Sequence, residues 1–156
     1  MQGNPAVLAD LQTTVGRECS LAAQYKFSKT LLNHLGYKIP KLGKFGRCCH
    51  KYSQQALQHL LLLGGQPARL DMASPRDMGG VRDTFAGLLV MESALCAPSS
   101  GEYQQMAKRA WDLLDDDSRN KFEHWIKWHG HHVDWLEKQI SVINDIGESN
   151  YKTELI

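Results

Sequence analysis

The chain has 156 residues, 42% of them apolar, 22% charged and 8% aromatic, with 18 Lys+Arg against 17 Asp+Glu for a formal charge of +1. That length fits one domain, residues 1–156, able to bury a core, and the balanced charge argues against a nucleic-acid arm or a polybasic membrane anchor. No purely apolar run is longer than that of Leu60 to Leu63, far too short for a bilayer span. The opening Met1-Gln2-Gly3-Asn4-Pro5 has neither a basic nor an apolar leader region, so the expectation is a cytoplasmic chain without a secretion signal. Its four Cys are then expected as reduced thiols and not as a disulfide framework.

Pro and Gly punctuate four long segments. The first runs from Pro5 to about Leu35, with Leu8, Leu11, Val15, Ala22 and Tyr25 at helical spacing and Gly36 as a stop. The second runs from about Leu42 to Leu63, with Phe45, Cys49, Tyr52, Ala56, Leu60 and Leu63 on one face. Ser74-Pro75 reads as the N-cap and first residue of the third, which carries Val81, Phe85, Leu88, Glu92 and Leu95 inward. A kink or break is expected near Pro98, because proline inside a helix costs about 3 kcal/mol or more. The fourth begins near Ser118, presents Trp125, His129, His132, Leu136, Ile140 and Ile143 on one face, and ends at Gly147; Glu148 to Ile156 could add one or two turns. No stretch alternates with period two for long enough to predict a strand. The pattern predicts an all-α bundle, with a crossover from Gly64 to Ala73 between the second and third helices.

What interrupts the apolar stripes points to chemistry. Glu18 falls between Val15 and Ala22, and Glu92 between Leu88 and Leu95. His129 and His132 share one face at i, i+3, as do Cys49 and Tyr52. Buried carboxylates cost several kcal/mol unless compensated, and a cation held among the helices would compensate them. His and carboxylate suit Fe, Zn and Mn, and Cys favours Zn or Fe. The competing reading is structural: each Glu rotated to solvent or paired, the histidines satisfied in the core, and Cys49 a small buried hydrophobe.

The order and spacing of several motifs resemble the bacterioferritins over essentially the whole chain. Met1-Gln2-Gly3-Asn4 looks like that family's start, and ECSLAAQY, Glu18 to Tyr25, is similar to its E-L-x-A-x-x-Q-Y motif. LLLLGGQP, Leu60 to Pro67, looks like the end of its second helix. HVDWLE, His132 to Glu137, and INDIGESNY, Ile143 to Tyr151, follow the family's last helix. The resemblance implies a ferritin-like four-helix bundle with a long crossover between helices two and three and a short C-terminal helix.

The family's di-iron ligands fall on Glu18 and Glu92, which are retained. Its helix-four Glu-x-x-His falls on His129 and His132, so a carboxylate has become imidazole, and its helix-two Glu-x-x-His falls on Cys49 and Tyr52. Two carboxylates are few for two irons, and a phenol titrating near 10 is a poor neutral ligand. The ferroxidase activity of the family is therefore expected to be lost or weak. Three arrangements remain open: a single Zn or Fe held by Glu18, Glu92, His129 and His132 with Cys49, a metal-free cluster of paired Glu and His, or weak iron binding. The family's axial haem ligand at a two-fold interface falls on His50, implying a bis-His haem b. The resemblance further implies an iron-storage subunit of a hollow twenty-four-subunit shell, alone or mixed with a catalytic subunit, with a ferredoxin as electron donor. The alternatives are an active ferroxidase with an unusual ligand set, or a Zn-binding bundle protein outside storage.

Overall fold

The computed structural model describes residues 2–155, so Met1 of the opening motif and Ile156 of the tail lie outside the described residues. The helices are α1 (Pro5–His34), α2 (Pro40–Leu62), α3 (Val81–Cys96), α4 (Glu102–Asp112), α5 (Asp116–Ile146) and α6 (Glu148–Glu154). No strand occurs among the described residues. α1 packs chiefly on α2, and α3 and α4 pack chiefly on α5. α3 and α4 together form the third rod of a four-helix bundle, and residues 63–80 cross over to it from α2. None of the described helices is long and apolar enough to cross a membrane, and all four cysteines are free thiols.

Local signals account for most helix ends. Asn4 caps α1 by accepting from the Ala6 amide at 2.8 Å, with Pro5 in the first turn. α2 starts at Pro40, two residues before the predicted Leu42, because proline is pre-set for a first turn and only its missing N–H is lost there. α5 likewise starts at Asp116 and not Ser118, because Asp115 caps it, accepting from the Ser118 amide at 3.0 Å. The expected break near Pro98 is present: Ala97 leaves helical geometry at ψ 138°, Ser99 sits at φ +65°, and α4 resumes at Glu102. On α1 the predicted Leu11, Val15 and Tyr25 are buried, while Leu8 and Ala22 are half-buried and their neighbours Val7 and Leu21 take the inward places. On α5, Ile140 is half-buried too.

The third helix does not begin at Ser74-Pro75. It begins at Val81, and residues 66–79 run without helix. The backbone groups that a helix would have paired are taken by side chains of α1. Ser20 accepts from the Ala73 amide at 3.0 Å, and Gln24 both accepts from the Arg76 amide at 3.0 Å and donates to its carbonyl at 2.9 Å. Asp77 then accepts from the Gly79 amide at 2.9 Å, and Gly79 turns the chain at φ +103°, where only glycine is unstrained.

The crossover lies so close to α1 that a Cβ on Gly16 would stand 2.9 Å from the Asp71 carbonyl oxygen. Gly16→Ala is therefore expected to cost about 1–3 kcal/mol as the crossover is pushed outward. Thermal unfolding should show a midpoint several degrees lower; an unchanged midpoint would mean the crossover is not held against α1.

Candidate metal centre

Four rods place polar side chains at one level of the bundle interior. α1 brings Glu18 and, two turns on, Tyr25; α2 brings Cys49 and Tyr52; α3 brings Glu92; α4 brings Tyr103; α5 brings His129 and His132. All eight are buried, with Glu18, Glu92, His129 and Cys49 at 0% exposure, so neither carboxylate is rotated to solvent.

His129 lies between the two carboxylates. Its Nδ1 donates to Glu92 Oε2 at 2.5 Å, and its Nε2 donates to Glu18 Oε1. His132 Nδ1 donates to Glu92 Oε1 at 2.8 Å. Tyr25 donates to the same Glu92 oxygen at 2.5 Å, and Tyr103 donates to Glu18 Oε1 at 3.0 Å. Glu92 thus accepts three hydrogen bonds, whereas Glu18 Oε2 is buried with no partner.

The protonation pattern follows. Burial opposes charge on His129, but Glu18 and Glu92 outweigh it and hold the ring well above its ordinary value, so it is an imidazolium at neutral pH. Burial alone would raise the Glu92 carboxyl, but the charge and hydrogen bonds of His129, joined by His132, bring it down to about 2. Burial, reinforced by the same carboxylates, pushes the Tyr25 and Tyr103 phenols and the Cys49 thiol well up, so all three keep their protons. One oxygen of this buried cluster, Glu18 Oε2, is left unused.

Donor atoms of Cys49, Glu92, His129 and His132 all lie within 4.8 Å of one another. Glu18 joins this group through His129. Tyr52 sits beside it, its ring edge-on to His129 at 5.8 Å and to His124 at 6.3 Å. His50 is apart from the others, exposed on the outer face of α2 and lining a surface recess of about 720 Å³. A smaller recess of about 230 Å³ between α2 and α5 ends on His132, with Lys41 and Lys44 on its walls. Sequence reading missed Tyr25 and Tyr103 as partners of the carboxylates. The spacing of Tyr25, seven residues after Glu18, carried that signal. Tyr103 gave none, because the break after Cys96 erases the register between α3 and α4.

The all-α bundle, with a buried carboxylate–imidazole cluster shared among its rods, has the ferritin-like four-helix architecture. No protein-family model matches the chain. It is 29% identical over 161 residues to the bacterioferritin of Streptomyces coelicolor, covering 100% of this chain and 92% of that one. Its fold is shared with Mycobacterium tuberculosis bacterioferritin BfrA (TM-score 0.92, 21% identity, 100% and 97% of the two chains covered). A second mycobacterial bacterioferritin structure matches at TM-score 0.92 and 20% identity, covering 100% and 96%. The chain thus has the bacterioferritin fold and is similar in sequence to a bacterioferritin over its whole length.

Proposed function

We propose that this chain, one domain over residues 1–156, is an iron-storage subunit of a hollow oligomeric shell whose own centre does not run two-iron oxidation. The observation that carries the reading is the position of His129. Its ring fills the space between Glu18 and Glu92 and hydrogen-bonds to both. A pair of irons would need bridging carboxylates there, and the donor set offers two carboxylates already engaged by an internal cation. A di-iron group does not fit these residues.

In this reading the chain contributes shell and storage surface, works in the cytoplasm, and is suited to mixing with a subunit that oxidises iron. The recess at His50 supports a haem b at a two-fold contact. Ala22, Ala23, Gly43 and Gly46 give it a low apolar floor, and Arg47 beside His50 suits a carboxylate-bearing ligand. There His50 would be the axial ligand, and the haem would pass electrons inward from a ferredoxin-type donor.

The test uses the intact particle of this chain alone. Gel filtration should give a large cage, and Fe(II) added to it in air should oxidise at the rate of buffer. Haem reconstitution should give a bis-imidazole spectrum that His50→Ala abolishes. Rapid stoichiometric oxidation would overturn the reading of the centre; a small dimer would overturn the shell; a haem spectrum indifferent to His50→Ala would overturn the ligand assignment.

A further inference from the structure

The residues that make the centre unfit for two irons bring together a different donor set. We propose that the centre is a mononuclear site for a borderline-soft dication of the Zn(II) class, ligated by Cys49, Glu92, His129 and His132 and oriented by Glu18. This deepens the reading of the same centre given above.

Three observations carry it. The first is geometry: one sulfur, one carboxylate oxygen and two imidazole nitrogens, from α2, α3 and α5, lie within 4.8 Å of one another and are buried. Tetrahedral Zn bonds of about 2.0–2.3 Å place donors about 3.3–3.8 Å apart, so the widest pair has to close by about 1 Å. Both histidines already turn Nδ1 towards the Glu92 carboxylate, at 2.5 and 2.8 Å. A cation entering there replaces protons that now lie between the same atoms.

The second observation is the unpartnered Glu18 Oε2, a buried carboxylate oxygen with no hydrogen bond. An unpaired acceptor buried in the bundle marks a place short of positive charge. Glu18 Oε1 meanwhile holds His129 Nε2. A carboxylate fixing one ring nitrogen is the usual partner of a histidine whose other nitrogen ligates a metal. Glu18 is thus a positioning residue and Nδ1 the ligating atom of His129.

The third is the chemistry of the donors. A dication bound here takes the place of protons on its ligand atoms, the Cys49 thiol proton among them, and those protons leave to solvent. The thiolate sets the preference: sulfur with imidazole selects Zn(II), Co(II) or Fe(II) over Mg(II) or Ca(II). Cys48, the adjacent residue, is directed about 100° around α2 and is half-buried.

Cobalt reports this geometry and the sulfur ligand at once. The protein is stripped with EDTA, kept reduced with a phosphine, and titrated anaerobically with Co(II). One Co(II) per chain should bind, with intense tetrahedral visible bands and a sulfur-to-cobalt charge-transfer band in the near ultraviolet. One equivalent of Zn(II) should bleach both. Cys49→Ser should remove the charge-transfer band while the far-ultraviolet circular dichroism stays helical, and Cys48→Ser should leave the band in place. Glu18→Gln should weaken Co(II) binding about 10–100-fold without changing the band. Absence of saturable binding, or a band that persists in Cys49→Ser, would overturn the proposal and leave the storage reading standing. Two Co(II) per chain without a thiolate band, joined to rapid Fe(II) oxidation, would overturn both.

Discussion

Glu92→Ala lowers the unfolding free energy of the metal-free protein by about 3–5 kcal/mol. The wild-type carboxylate accepts from His129, His132 and Tyr25, so one truncation strands three donors, one of them charged. The imidazolium keeps only Glu18, and the site is closed to water because His129 and Glu18 are 0% exposed. The loss measures the cost of leaving a charge unpaired, not the net worth of the cluster. Replacing Glu18, Glu92 and His129 together by leucine removes the buried charges, leaving only the neutral donors Tyr25, Tyr103 and His132 unpaired, and should cost less than Glu92→Ala alone. Urea unfolding at one protein concentration checks both, since subunit association also shifts stability. The single variant should unfold at lower urea with an unchanged slope, and the triple variant at higher urea than the single one. A single variant that loses less than about 1 kcal/mol would show that His129 is not held as a cation between the two glutamates.

Stability of the metal-free protein should also fall at both ends of the pH scale, by two opposite linkages. Glu18 and Glu92 outweigh burial and raise His129 above its ordinary 6.5, so the folded chain keeps a proton that the unfolded chain gives up. Its contribution is complete below pH 6.5 and drains away as pH rises through the folded value. Glu92 is the reverse case, lowered from 4.5 to about 2. Its contribution is present above pH 4.5 and is lost as pH falls towards 2. Each flank should have a slope of about 1.4 kcal/mol per pH unit while one proton is in play. His59 tilts the range between them. Burial, helped by Lys121, lowers its ring, so stability slips as pH drops below 6.5. Denaturation across pH in wild type and in the triple leucine variant separates these effects: the fall between pH 6.5 and 9 should vanish in the variant, while the fall at higher pH from the buried Cys49, Tyr25 and Tyr103 and the His59 tilt should remain. A fall of equal slope between pH 6.5 and 9 in both would sink the assignment.

Much of this architecture is local in origin and was legible in the residues. Glu18, Glu92, His129 and His132 interrupt apolar stripes of period 3.6, and all four are buried, because a helix face needs no information beyond its own sequence. Cys49 and Tyr52 followed from the same phase on α2. The break at Pro98 followed from proline's missing amide and fixed φ. The start of α3 did not, since what keeps residues 73–76 out of a helix is Ser20 and Gln24, about fifty residues away on α1.

By itself the sequence determined that this is a bundle of amphipathic helices with carboxylates and imidazoles turned inward. Only the tertiary structure decided what those groups do to one another. Helical periodicity assigns a side chain to a face but not to a partner on another rod. The separation of α1, α3 and α5 places one imidazole across two carboxylates, turns Tyr25 and Tyr103 onto their oxygens, and leaves Glu18 Oε2 without a partner.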